Sequence, residues 1–359
     1  MRNPLTIWNA LAAIGLAAGT FAPAKPASAD GQRRSPPMTI TSYGGAYQKA
    51  VRSTFFEPFS KATGIKITED EYNGEFSKIR AMVESKSVSW NVVDMAVDAV
   101  LQLCAEGVLE TIDWKRLDLD RTKLMGADAS DCGVPFLLST TIIAYDQDKL
   151  PNGPKTIADF FDTQKFPGKR GLKKSPDKTL EWALVADGVA VKDIYKVLNT
   201  PEGVDRAFKK LDTIKKDVVW YQSNAQPAQL LSDGQVVMTQ AANGRIYDAV
   251  KNSGKHFGMV WDAQVFEFAL WAIPKGSPSQ DAAYRFLAFA GSPQPEADLT
   301  HYLPYGPANK DAMALVDSAM KPDLPTAPEN MRSALPRDAV FWADKGDELR
   351  QRFTTWLAK

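Results

Sequence analysis

The sequence predicts an α/β protein of two lobes facing each other across a cleft, and three observations carry that reading. Short apolar strand-like runs alternate with amphipathic helical runs along most of the chain. The alternation is broken by β-rich stretches at 139–145 and 265–273, which mark passages from one lobe to the other. The 359 residues are enough for two domains of ordinary size.

The elements follow in order. Arg2, the apolar run 7–22 and the small residues Ala27, Ser28 and Ala29 predict a signal peptide cleaved after Ala29. That run is too short and interrupted to span a bilayer. A strand is expected at 38–42, broken by Gly44 and Gly45. The helix 46–62 follows, with Val51, Phe55, Phe56 and Phe59 at helical spacing. Strand 65–71, helix 76–84 and strand 92–97 continue the alternation, which implies a parallel sheet with helices on both faces. Beyond the first passage come helix 156–161, a turn at Phe166-Pro167-Gly168, and a helix at 176–188. Ser175 is its expected N-cap and Pro176 its first residue. Helix 202–214, strand 218–221, helix 225–233, strand 236–241, helix 245–252 and strand 258–261 complete the second unit. The return stretch ends at Pro274, helix 281–290 packs back on the first lobe, 302–307 crosses again, and helix 347–356 closes the chain. The expected organisation is 1–29 signal peptide, 30–140 and 265–303 lobe 1, 141–264 and 304–359 lobe 2. Discontinuous lobes joined by strands form a hinge, and such a cleft closes on a small molecule.

Composition excludes several functions. Lys and Arg together number 43, as do Asp and Glu, so the formal charge is zero and no nucleic-acid partner is expected. The pairs Lys173-Lys174 and Lys215-Lys216 read as solvated faces. The two cysteines, Cys104 and Cys132, predict one disulfide in an exported chain, with two buried thiols as the alternative. With His256 and His301 the only histidines, no metal site is expected. The common nucleophile, metalloprotease, phosphate-loop and dinucleotide motifs are absent, so neither an enzyme nor a cofactor is predicted.

Ligands of open α/β sheets sit beyond the carboxyl ends of the strands. That rule selects Ser42, Tyr43 and Tyr47 after the first strand and Asp98 after the third, with Asp94 read as structural. Glu181 and Trp182 open a helix of the second lobe, where Asp177 and Glu181 share a face. Asn243 and Arg245 follow another strand, and Arg245 suits a carboxylate by paired hydrogen bonds. Glu267, between Phe266 and Phe268, is an acid in want of a cation if its face meets the cleft. Trp220 and Tyr221 read as core.

Seven short motifs occur in one order: Ser42-Tyr43-Gly44-Gly45-Ala46-Tyr47, Cys104-Ala105-Glu106-Gly107 with Asp131-Cys132-Gly133, Phe166-Pro167-Gly168-Lys169-Arg170, Leu180-Glu181-Trp182-Ala183-Leu184, Asn243-Gly244-Arg245, Trp271-Ala272-Ile273-Pro274 and Tyr305-Gly306-Pro307. Together they resemble the spermidine/putrescine-type periplasmic binding proteins of bacterial ABC importers, over nearly the whole mature chain. The resemblance implies the type II periplasmic-binding fold, a periplasmic monomer, an inner-membrane ABC permease as partner, and a polyamine ligand held between rings and carboxylates. It places ring contacts at Tyr43 or Tyr47 and an acid at Glu181, and adds Tyr305. The sequence departs from the pattern at Ala242, where polyamine binders often carry an aromatic residue, and at Ala269, where they carry an acid that stands here at Glu267. With Arg245 in the same cleft, these changes suit a zwitterion such as an ω-amino acid equally well. A periplasmic enzyme on the same architecture needs a cleft nucleophile, and a receptor for an oxyanion or ferric ion needs a basic or tyrosine-paired cleft.

Overall fold

The computed structural model describes residues 37–359, so the expected signal peptide and its cleavage after Ala29 lie outside the described residues. No described helix is long and apolar enough to cross a membrane.

The strands are β1 (Met38–Ser42), β2 (Ile67–Glu71), β3 (Val92–Ala96), β4 (Gly133–Asp146), β5 (Arg170–Lys173), β6 (Val218–Tyr221), β7 (Met238–Ala242), β8 (Phe257–Ala272), β9 (Gly306–Pro307) and β10 (Leu335–Pro336). Among the described residues they form one sheet, ordered β2-β1-β3-β8-β4-β7-β5-β6, with β9 on β4 and β10 on β8. At the outer ends β1 pairs in parallel with β2 and β3, and β5 pairs in parallel with β6 and β7. Helical crossovers join these parallel strands, as their geometry demands.

The centre is different. β4 and β8 run antiparallel from Gly133↔Ala272 to Asp146↔Phe257, with register shifts at Pro135/Leu137 and Thr141/Ile143. The two expected passages are thus the C-terminal halves of two long strands that belong to both lobes. Pro135 donates no ladder hydrogen bond and stands beside the first shift. The stretches expected at 258–261 and 265–273 are one continuous strand.

Each lobe has its own apolar core. In lobe 1, Phe55, Phe56, Phe136 and Phe286 surround Trp271, whose ring stacks on Phe136 at 4.3 Å between centroids. In lobe 2, Phe160, Trp182, Trp342 and Phe353 are fully buried. The last passage falls later than position 304. Gly306 and Pro307 pair with Leu138 and Leu137, and Ala312, Val316 and Leu324 pack on Ala297 of lobe 1's helix Pro293–Leu299. Contact with the lobe 2 core begins at Leu335.

Three helices differ from expectation for local reasons. The helix after β1 carries a π-helical stretch, Arg52–Phe56, between Ala46–Val51 and Glu57–Thr63, which turns both Phe55 and Phe56 into the core. The helix expected from 176 starts at Thr179, because Lys178 adopts φ 63° and breaks the helical path; Ser175 caps nothing in it. The C-terminal helix starts early, at Ala339, with Asp338 capping Phe341 N.

Cys104 and Cys132 form a disulfide across 28 residues, tying the helix Val97–Ala105 to the start of β4. Closing that loop stabilises the fold by roughly 3–4 kcal/mol in the chain-entropy model. A Cys104→Ala/Cys132→Ala variant is expected to lose about that much in a urea titration. A loss under about 1 kcal/mol would show that the bridge does not constrain the unfolded chain.

Candidate functional site

Between the lobes lies a cavity of about 780 Å³, set at the carboxyl ends of β1, β3, β5 and β7 and walled by the middles of β4 and β8. Its position follows from topology, since helices on both sheet faces leave only the strand ends open.

The loop after β1 supplies its aromatic wall. Gly45 turns the chain at φ 73°, and a Cβ there would fall 2.9 Å from Arg245 Nη1. The glycine therefore permits both the turn and the approach of lobe 2's guanidinium. Tyr43, Tyr47 and Tyr305 line the cavity, with the Tyr47 ring 6.4 Å from Tyr43 and 5.8 Å from Tyr305. Gly244 lets the Tyr305 ring lie against the next helix, since a Cβ would meet its Cζ at 2.7 Å.

Asp94, mid-strand in β3, is a cavity residue rather than only a structural one. Its Oδ2 accepts from Tyr47 Oη at 2.7 Å and from Ser42 Oγ at 3.3 Å, while Oδ1 has no partner among the described residues. Burial pushes its carboxyl up to about 7, against the two hydroxyl donors that favour the charged form. Ser42 is thus buried behind Asp94 and orients it.

Arg245, at the start of the helix Asn243–Ser253, is 8% exposed. Its Nη2 donates to Tyr43 O across the lobes at 3.1 Å, and its guanidinium stands 5.9 Å from the Tyr47 ring centre. It has no carboxylate partner among the described residues. Neither has Lys173, whose ammonium burial pulls below its usual range with Lys178 adding to the effect. Asn243 does not line the cavity; its amide donates to Pro304 O at 2.7 Å and fastens the helix to the chain before Tyr305.

A second cluster is saturated internally. Arg337, which no sequence pattern marked, is enclosed by acids: Asp98 at 2.6 and 2.8 Å, Asp177 at 2.7 Å and Glu267 at 3.2 Å. Lys178 binds the other oxygen of Glu267. Glu267 does face the cavity and does need a cation, but the chain itself supplies two. Asp98 likewise lines the cavity with its carboxylate on Arg337. Burial opposes the charge on Asp177, yet Arg337 and Lys178 hold it below the usual carboxylate range.

Glu181 and Trp182 stand outside the cavity lining. With the helix beginning at Thr179, Glu181 turns into lobe 2, where Tyr195 Oη and Trp342 Nε1 donate to its Oε1 at 3.0 and 2.7 Å. Burial first and Asp177 second push it up to about 7. Trp182 is core, its indole donating to Ala263 O. Tyr221, read as core, is buried but borders the cavity, held by Gln240 O at 2.8 Å. The signal that would have found Asp94 is its register: it sits one strand over from Thr41–Ser42.

The chain's match to known proteins agrees with this geometry. The family model described as bacterial extracellular solute-binding protein matches residues 54–326. The gamma-aminobutyric acid-binding protein of Pseudomonas aeruginosa is 42% identical, covering 92% of this chain and 94% of that one. A solved GABA receptor is 34% identical over 90% of this chain and 98% of its own, with a TM-score of 0.79. The binding protein AgtB of A. tumefaciens, solved with agropinic acid, is 33% identical over 90% and 99%, with a TM-score of 0.83.

The raised carboxyls make a pH prediction. A group whose folded pKa exceeds its unfolded value of about 4 binds more protons when folded, so its contribution to stability falls as pH rises from about 4 to 7. Asp94→Asn and Glu181→Gln are each expected to remove part of that downward slope in urea titrations between pH 4 and 7. Slopes equal to wild type would show that the buried carboxyls titrate normally.

Proposed function

This chain belongs to the bacterial extracellular solute-binding proteins, and from that premise we propose that it captures an ω-amino acid such as 4-aminobutyrate and hands it to an ABC permease of the inner membrane. It is a receptor and not an enzyme: the relatives it matches are binding proteins. The two tied sulfurs also leave no cleft thiol.

One observation carries the choice of ligand: a cationic group without an acid, Arg245, faces the same cavity as an acid with a free oxygen, Asp94. A zwitterion matches both. Its carboxylate pairs with the guanidinium in charge-assisted hydrogen bonds. Its ammonium sits among the rings of Tyr43, Tyr47 and Tyr305 beside Asp94, where quadrupole attraction replaces lost hydration. The polyamine expected from the resemblance fits less well, because Arg245 and Lys173 repel a second ammonium. The 42% identity to a GABA-binding protein supports the same choice.

Titration calorimetry with 4-aminobutyrate, putrescine, spermidine and agropinic acid tests the reading. 4-Aminobutyrate is expected to bind and, at a hundred times its Kd, to stabilise the fold by about 2.7 kcal/mol. Arg245→Met and Asp94→Asn each leave a buried charge unpaired, a loss of at least about 2 kcal/mol or thirtyfold in affinity. Tighter binding of putrescine than of 4-aminobutyrate by wild type, or unchanged affinity in both variants, would overturn it.

A further inference from the structure

Apart from Asp94 and the exposed rim residue Glu75, every acid of the cavity lining is already neutralised by the chain, and one of the neutralising groups is itself an alkylammonium. Lys178 lines the cavity and places Nζ on Glu267 Oε1. It is the only non-glycine residue of the cavity lining with a left-handed backbone, among the described residues. L residues avoid that conformation, and those that hold it are held by their surroundings. Here the turn directs the side chain back across the cavity from β5 to the middle of β8.

The partners differ in kind. Arg337 is 3% exposed in its side chain, and three carboxylates hold it in place. Lys178 is more open, at 18%, and makes a single hydrogen-bonded ion pair. Burial works against its charge, but Glu267 and Asp177 outweigh burial and keep the ammonium protonated. The pair Lys178–Glu267 thus has the chemistry of a primary amine bound in a carboxylate site, with the amine tethered to the protein.

We propose that Lys178 is a specificity residue: its ammonium fills the seat on Glu267 that the second ammonium of a diamine would take, leaving Asp94 as the one buried acid of the lining without a cation. The inference rests on the zwitterion reading and adds the reason a diamine of the same length is refused. A protein-borne charge in the competing site is a repulsive element set against the wrong ligand, distinct from the attraction that Arg245 offers the right one.

Three variants and three probes test it. Lys178→Gln removes the charge at similar length, Lys178→Arg keeps it, and Lys174→Gln removes a charge from the cavity rim that contacts no acid. 4-Aminobutyrate and putrescine differ in one terminal group, so the ratio of their dissociation constants isolates the second charge. In Lys178→Gln that ratio is expected to move toward putrescine by about tenfold or more, while Lys178→Arg holds the wild-type ratio and Lys174→Gln shifts it by less than about threefold. An unmoved ratio in Lys178→Gln, or an equal movement in Lys174→Gln, overturns the inference. The third probe, n-butylamine, separates it from the zwitterion reading. If wild type binds no 4-aminobutyrate, that reading fails. The inference still stands if n-butylamine raises the melting temperature of Lys178→Gln and not of wild type, and falls if the two respond alike. Should Lys178→Gln fold poorly by circular dichroism, Lys178→Met serves in the same comparisons.

Discussion

A guanidinium that is 3% exposed cannot stand alone, and the ion cluster of the cleft is organised around satisfying Arg337. It arrives directly after β10, where its own N–H donates to Phe266 O of the shared strand β8. From that point it reaches Asp98 of lobe 1, Asp177 of lobe 2 and Glu267 of β8 itself. The acids come from three separate stretches of chain, so the ion cluster forms only when both lobes and the passage between them are in register. Removing one partner leaves an uncompensated charge, which costs far more than the intact cluster contributes.

That satisfaction determines what the cavity offers a guest. Asp98, Asp177 and Glu267 are acids by composition but not by availability. Inside the exposed rim of Glu75 and Lys174, what remains is Asp94 under a tyrosine wall and, opposite in charge, Arg245 and Lys173. Arg245 is held by a carbonyl, Tyr43 O, which leaves its charge unmatched. A cavity lined by many charges therefore presents a short list of open valences, and the list has one of each sign that is well placed. Counting carboxylates in the lining would have pointed to a polycation; counting unpaired ones points to a zwitterion.

The same distinction explains how far the sequence could be read. β1 and β6 were legible to the residue, because period and flanking turns are local properties. The cleft position of Tyr43, Tyr47 and Arg245 was legible too, because strand ends define it, and that of Glu267 and Tyr305 because they lie on stretches that cross between the lobes. The full length of β4 and β8 was not: Pro135 reads as a breaker, and only the antiparallel partner shows that the chain stays extended through it. Glu181 was misplaced by a shift in helix start that a single left-handed residue, Lys178, imposes. Arg337 left no signal at all, since nothing near Leu335-Pro336-Arg337 distinguishes it from a surface arginine until the fold sets it beside Glu267.

Asp94 and Glu181 make the closing point about why geometry must precede electrostatics. Both are carboxyls pushed up to about 7, both chiefly by burial, and both accept hydrogen bonds from a tyrosine. A perturbed carboxyl is a reason to suspect a site. Yet only Asp94 borders the cavity; Glu181 faces Trp342 and Tyr195 inside a packed core. Near neutrality each is poised between forms, and the outcome differs. An arriving ammonium stabilises charged Asp94 and draws its proton off, so binding and ionisation reinforce one another. No solute can do the same for Glu181, whose proton answers only to its neighbours in lobe 2.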